Sequence, residues 1–125
     1  MTVVYDSGLL IAADRNDRNV WADHRTRLET GVVPTTTAPV VAQVIRSPRQ
    51  VQLRRLLRGC EVVGFNPDQA VQVGSLLGSA QTSDVVDAHV VLTAAKTESL
   101  VITSDLEDLQ RLSSRLPRPV TIRRV

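Results

Sequence analysis

The sequence predicts an α/β domain in which a mostly parallel central sheet of about five short strands is covered by helices on both faces, a three-layer α/β/α sandwich. Three observations predict it. Short β-branched or apolar runs alternate along the chain with longer stretches of helical periodicity. The 125 residues are 42% hydrophobic but hold single copies of Trp, Tyr and Phe, so Val, Leu, Ile and Ala must fill the core, as buried parallel strands and their covering helices do. No repeat, low-complexity tract or linker interrupts the pattern, which points to one domain over residues 1–125.

Strands are expected at residues 2–5, 32–34, 61–64, 100–103 and 120–122, each bounded by turn formers. Helices are expected at residues 8–13, 19–29, 38–45, 49–57, 67–77, 85–96 and 106–114. Pro39 and Pro67 suit the first helical position, the latter after Asn66 as a cap. Pro48 disfavours helical geometry at Ser47 and so divides one long helical pattern in two. Helical connections between consecutive strands make the sheet mostly parallel, with right-handed crossovers. Ligands in such sheets gather outside the carboxyl ends of the strands.

Composition excludes several classes of function. A single cysteine, Cys60, rules out an intramolecular disulfide, and no Cys/His cluster has the spacing of a zinc site. A reduced, cytoplasmic setting is the expectation. Met1 runs into Val3, Val4 and Tyr5 without a basic leader, and no apolar stretch nears the roughly 20 residues of a membrane span. The formal charge is only +2, but residues 30–60 hold no Asp or Glu while carrying Arg46, Arg49, Arg54, Arg55 and Arg58. Of the 15 basic residues only Lys96 is not Arg, and Arg pairs with phosphate in a bidentate fork. The same stretch also reads as an ordinary solvated face.

Three acids stand where such a sheet collects function. Asp6 follows the first strand directly, and Asp105 follows the fourth after one intervening residue. Asp87 lies in the first turn of the helix before that fourth strand. That helix, of about 12 residues and roughly 18 Å, is antiparallel to the strand after it, so its start and the strand's end share an edge. Carboxylates converging there repel one another unless a cation intervenes, and all-oxygen ligation suits Mg²⁺ or Mn²⁺. Mg²⁺ shared between carboxylates and substrate phosphate implies phosphoester chemistry. Asp is also a favoured helix cap: Asp84 with Asp87, and Asp105 with Asp108, each fit a cap followed three residues later by an acid.

At these residues the chain resembles the PIN-domain family, and within it the VapC-like toxins of type II toxin-antitoxin pairs. The resembling motifs are Val3-Val4-Tyr5-Asp6-Ser7, Asp87-Ala88-His89-Val90-Val91 and Leu100-Val101-Ile102-Thr103-Ser104-Asp105. Their order and spacing span nearly the whole chain. The resemblance implies a Mg²⁺-dependent endoribonuclease (Mn²⁺ being the alternative metal) in which Asp6, Asp87 and Asp105 hold the metal and hydrolyse RNA phosphodiester bonds without a histidine base. It also implies a cognate antitoxin as partner and a homodimer.

The family's usual Glu in the helix after the second strand is here Gln43, which contributes no charge, so the expectation is either a lower metal affinity or compensation by another acid, with Asp84 and Asp108 as the candidates. Gln43 also raises the alternative of a module that binds RNA or a protein partner without cutting. Ser7 and Thr103 are candidates for orienting metal-bound waters, with capping and strand-end hydrogen bonding as alternatives. Arg46 and Arg49, which follow the helix of Gln43, are the expected contacts to RNA phosphate. His89 is expected to be structural and His24 exposed. Two other folds that place an Asp after the first strand fit less well: a haloacid-dehalogenase-like phosphatase wants Asp-x-Asp where this chain has Asp6-Ser7-Gly8. A receiver domain wants a Lys near a late strand end, whereas Lys96 ends a helix.

Overall fold

A computed structural model describes residues 2–125. In chain order the elements are β1 (Val3–Tyr5), α1 (Ser7–Asp14), α2 (Arg18–Glu29), β2 (Thr35–Thr37), α3 (Ala38–Val44), α4 (Val51–Arg58), β3 (Glu61–Val63), α5 (Pro67–Ala80), α6 (Val85–Thr97), β4 (Leu100–Thr103), α7 (Leu106–Ser113) and β5 (Ile122–Arg124). The five strands form one sheet in the order β3-β2-β1-β4-β5, with every neighbouring pair parallel.

That order determines which face each helix covers. From β1 to β2 to β3 the chain steps one way along the sheet, then it crosses back to β4 and steps the other way to β5. Right-handed crossovers therefore lay α1 to α4 on one face and α5 to α7 on the other. The packing agrees, since α1 lies against α2, α3 and α4, while α6 lies between α5 and α7 and rests on β1, β2 and β4. The expected α/β/α sandwich is the observed one. Its strand order reverses between β1 and β4, and their carboxyl ends flank the crevice where doubly wound sheets bind ligands.

Apolar side chains from both helical layers meet on the sheet. Val4, Tyr5 and Val101 come from the strands, Leu10, Leu53 and Leu56 from one layer, and Val90, Val91 and Leu109 from the other, all fully buried. The α4 segment buries Leu53 and Leu56 while Arg54, Arg55 and Arg58 stay exposed, so its basic run forms a solvent face over an apolar one. Gly8 permits a close approach at the working edge: a Cβ there would collide with the Ser104 side chain and crowd its backbone nitrogen. No helix among the described residues is long and apolar enough to cross a membrane.

Two strands fall later than the sequence predicts. The second was expected at residues 32–34, but the Val32 N–H closes the end of α2 on the Arg27 carbonyl and Pro34 has no N–H to give. The ladder begins at Thr35, opposite Val4 and Glu61. Of three consecutive threonines in this buried strand, two place their hydroxyls on partners: Thr36 donates to the Tyr5 carbonyl and Thr37 accepts from the Val40 N–H as the cap of α3. The fifth strand was expected at residues 120–122, but the Val120 N–H is taken by the Ser113 hydroxyl, so pairing starts at Ile122 opposite Val101. Likewise α4 begins at Val51 rather than Arg49. Gln50 explains this: its side-chain oxygen accepts from the Arg46 and Ser47 N–H groups and its nitrogen donates to the Val44 carbonyl and Asp14, buckling the turn between α3 and α4.

Candidate metal centre

Asp6 extends β1 by one residue, its N–H donating to the Ile102 carbonyl, and is only 2% exposed. It occupies the N-cap position of α1, and Asp105 occupies that of α7, yet neither side chain caps its helix. Asp17, Thr37, Asn66 and Asp84 do cap theirs. The capping explanation therefore holds for Asp84, whose Oδ1 accepts from the Asp87 N–H at 2.9 Å, and fails for Asp6 and Asp105.

The two uncapping carboxylates are joined by Thr103. Its hydroxyl accepts from the Asp105 N–H at 2.9 Å and donates to Asp6 Oδ2 at 2.7 Å. That commits the one hydroxyl proton to a carboxylate, so Thr103 holds Asp6 rather than a water. The other oxygen, Asp6 Oδ1, is buried without a hydrogen-bond partner among the described residues. A buried carboxylate oxygen left this way is costly unless something electropositive meets it.

Asp87, in the first turn of α6, comes to the same edge. Asp87, Asp105 and Asp108 each offer a carboxylate oxygen, and these lie within 4.8 Å of one another, the one such group of His, Cys, Asp or Glu among the described residues. Asp6, expected with Asp87 and Asp105 at the centre, is not in that closest group. Asp108 is, one helical turn after Asp105 on α7. Burial pushes the Asp87 carboxyl up to about 7, with the charges of Asp84, Asp6, Asp105 and Asp108 adding to it in that order. Asp105 is raised too, by desolvation first and then by the charge and hydrogen bond of Asp108. Five acids thus act on one spot. An all-carboxylate donor set with an orphaned buried oxygen fits a hard divalent cation of the Mg²⁺ type.

The remaining predicted residues fall around this core. Ser7 opens α1, half-buried. Gln43 is exposed on α3, whose cap Thr37 rises from the same sheet edge. Arg46 does not extend freely toward a substrate: its Nη1 donates to the Ala42 and Ile45 carbonyls and so caps the end of α3. Arg49 is exposed in the turn before α4.

His24 corrects the sequence reading outright, because it is buried rather than exposed. Its Nδ1 hydrogen-bonds the Tyr5 hydroxyl at 2.9 Å, which also accepts from Arg27 at 3.1 Å. Burial, then Arg27 and Arg55, lower its pKa. The flanking residues of α2 are polar, and the one sequence signal was the spacing from Val20 to His24, the two residues α2 buries. His89 is structural as expected, buried on α6 with its ring edge-on to Phe65.

No family model matches the sequence, and no curated protein matches it either. Solved structures do. A match to one chain in the structure of VapBC2 from Rickettsia felis, bound to a DNA fragment from its promoter, covers 100% of this chain and 99% of that one, with a TM-score of 0.72 at 13% identity. FitAB bound to the IR36 DNA fragment gives 0.66 at 14% identity, over 98% of this chain and 94% of that one. PAE2754 from Pyrobaculum aerophilum gives 0.63 at 12% identity, over 98% and 89%. The fold is PIN-like. Identities this low make the likeness one of fold. What this PIN-like chain does must therefore be argued from its own carboxylates.

Proposed function

We propose that this chain is a Mg²⁺- or Mn²⁺-dependent endoribonuclease and the toxin of a toxin-antitoxin pair. The observation that carries the reading is the pair of N-cap aspartates, Asp6 and Asp105, which leave their helices uncapped and converge through Thr103 beside Asp87 and Asp108. Asp87, Asp105 and Asp108 would hold the cation, and the unpartnered Asp6 Oδ1 would be a further oxygen available to it. A divalent cation bound there supplies Lewis acidity and a water of lowered pKa for in-line attack on a phosphodiester.

The chain's own residues do the positioning. Thr103 fixes the Asp6 carboxylate by donating to one oxygen and leaving the other free. Asp84 fixes the start of α6, and with it Asp87, while adding negative charge. Asp108 supplies the acid that Gln43 does not. An antitoxin partner and a homodimer are part of the same reading, supported by the likeness to VapBC2 and FitAB.

The test is cleavage of a structured RNA by purified protein with Mg²⁺ or Mn²⁺, beside Asp87→Asn and an EDTA control. Metal-dependent cleavage that Asp87→Asn abolishes is expected, and equal cleavage by both proteins would overturn the site. Gln43 favours one other reading, a module that binds RNA or a protein without cutting. No cleavage by the native chain together with cleavage by Gln43→Glu would establish it.

A further inference from the structure

Away from the acid cluster, the face built by α1 to α4 carries a cavity of about 390 Å³ lined by Asn16, Arg18, Trp21, Ala22, Arg25 and Arg55. None of these residues belongs to the carboxylate centre, and among the described residues no acid lines the cavity. Three arginines from two separate helices meet around the chain's single tryptophan. Like charges gathered on one concave surface repel one another, and a polyanion relieves that repulsion.

The cavity is also preorganised. Trp21 is half-buried, its indole N–H donates to the Ala13 carbonyl at 3.0 Å, and its ring meets His24 edge-on at 5.7 Å. The ring is therefore fixed, and the Arg55 guanidinium stacks over it at 4.1 Å from the centroid. A stacked guanidinium keeps its hydrogen-bonding edge free while losing less rotamer freedom on binding. Asn16, in the left-handed backbone conformation at φ 60°, presents a side-chain amide at the rim. On α4, exposed Arg54 and Arg58 flank Arg55, and Arg54 Nη2 donates to the Ser47 carbonyl at 3.3 Å.

We infer that this Trp21-centred arginine cavity binds the phosphodiester backbone of single-stranded RNA, as a docking site separate from the carboxylate centre. It rests on the reading of the chain as a protein that acts on RNA. Guanidinium forks from Arg18, Arg25 and Arg55 each suit a phosphate, and Arg58, one helical turn after Arg55 on the same side of α4, adds a cation outside the cavity, which a strand of backbone can use and a single anion cannot.

The experiment is binding of a fluorescein-labelled oligouridylate, followed by anisotropy in EDTA so that no cleavage is needed and failure of the nuclease reading does not enter. Intrinsic fluorescence of Trp21, the sole tryptophan, is recorded in parallel. The native chain should bind with a change in Trp21 emission that tracks the anisotropy curve. Arg18→Gln/Arg25→Gln, both exposed positions, should weaken binding several-fold and lower the slope of log affinity against log salt by about 1.4, at about 0.7 for each single-strand phosphate the two arginines no longer neutralise. Circular dichroism confirms that the double variant is folded; Arg55→Lys, which keeps the charge but not the fork, should fall between the two. Unchanged affinity and salt slope in the double variant, or RNA binding with unmoved Trp21 emission, would overturn the inference. So would equal affinity for a polyglutamate of the same charge, which would assign the cavity to an acidic protein.

Discussion

A single hydroxyl sets the geometry of the acid centre. Thr103 holds Asp6 and Asp105 together, and its removal tests whether the carboxylates are positioned or merely close. Thr103→Val keeps the shape and β-branching but strands a buried carboxylate oxygen, for a loss of about 1–3 kcal/mol in denaturant unfolding. Metal affinity should fall by about 10–100-fold as well, as when other groups that orient a ligand are removed, and isothermal titration with Mn²⁺ measures it. Asp84 offers the contrasting case. It is bonded to the helix it caps, so Asp84→Asn, which keeps the cap, should preserve stability within about 0.5 kcal/mol while weakening metal binding through lost charge.

At the scale of elements, the buckle between α3 and α4 depends on Gln50. Its amide ties the Arg46 and Ser47 N–H groups, the Val44 carbonyl and Asp14, joining the end of one helix to the next and to α1. Gln50→Ala leaves those backbone groups to water, and thermal unfolding should register about 1–3 kcal/mol. Gly8 is the corresponding point at the opposite end of α1, where the helix passes Ser104 too closely for a side chain. Gly8→Ala should therefore push apart the two turns that carry Asp6 and Asp105, lowering both the melting temperature and the metal affinity. Elements were the most legible level of the sequence. Periodicity and caps located all seven helices, but β2 and β5 were each displaced along the chain. A strand's start depends on which N–H groups are already used, as Val32 and Val120 show.

For the whole molecule, the acid centre couples stability to pH. In the metal-free fold Asp87 titrates near 7, against about 3.8 when unfolded, so the folded state holds the proton more tightly. That contribution is complete below about pH 4 and is lost as pH rises toward about 7. His24 and His89, with lowered values, act in the opposite sense and destabilise the fold as pH drops below 6.5. Comparison with Asp87→Asn isolates the first effect. The variant's gain in melting temperature in EDTA should be larger at pH 8 than at pH 5, and added Mg²⁺ should stabilise the native chain more at pH 8 than at pH 5. A gain that is the same at both pH values would contradict the raised Asp87 value.

The sequence by itself determined the α/β alternation, the parallel sheet and the arrival of Asp6, Asp87 and Asp105 at one edge. Those follow from periods of two and 3.6 and from the position of each acid at a strand end or helix start. Only the tertiary structure decided that Asp84 is a cap and that Asp108 joins Asp87 and Asp105, with the buried Asp6 outside that closest group. The same holds for the buried His24 and for Arg18 and Arg25 meeting Arg55 across Trp21. The reason is physical. Spacing says which face of an element a residue occupies, whereas the partner of a carboxylate, imidazole or guanidinium depends on a neighbouring element that only packing brings near.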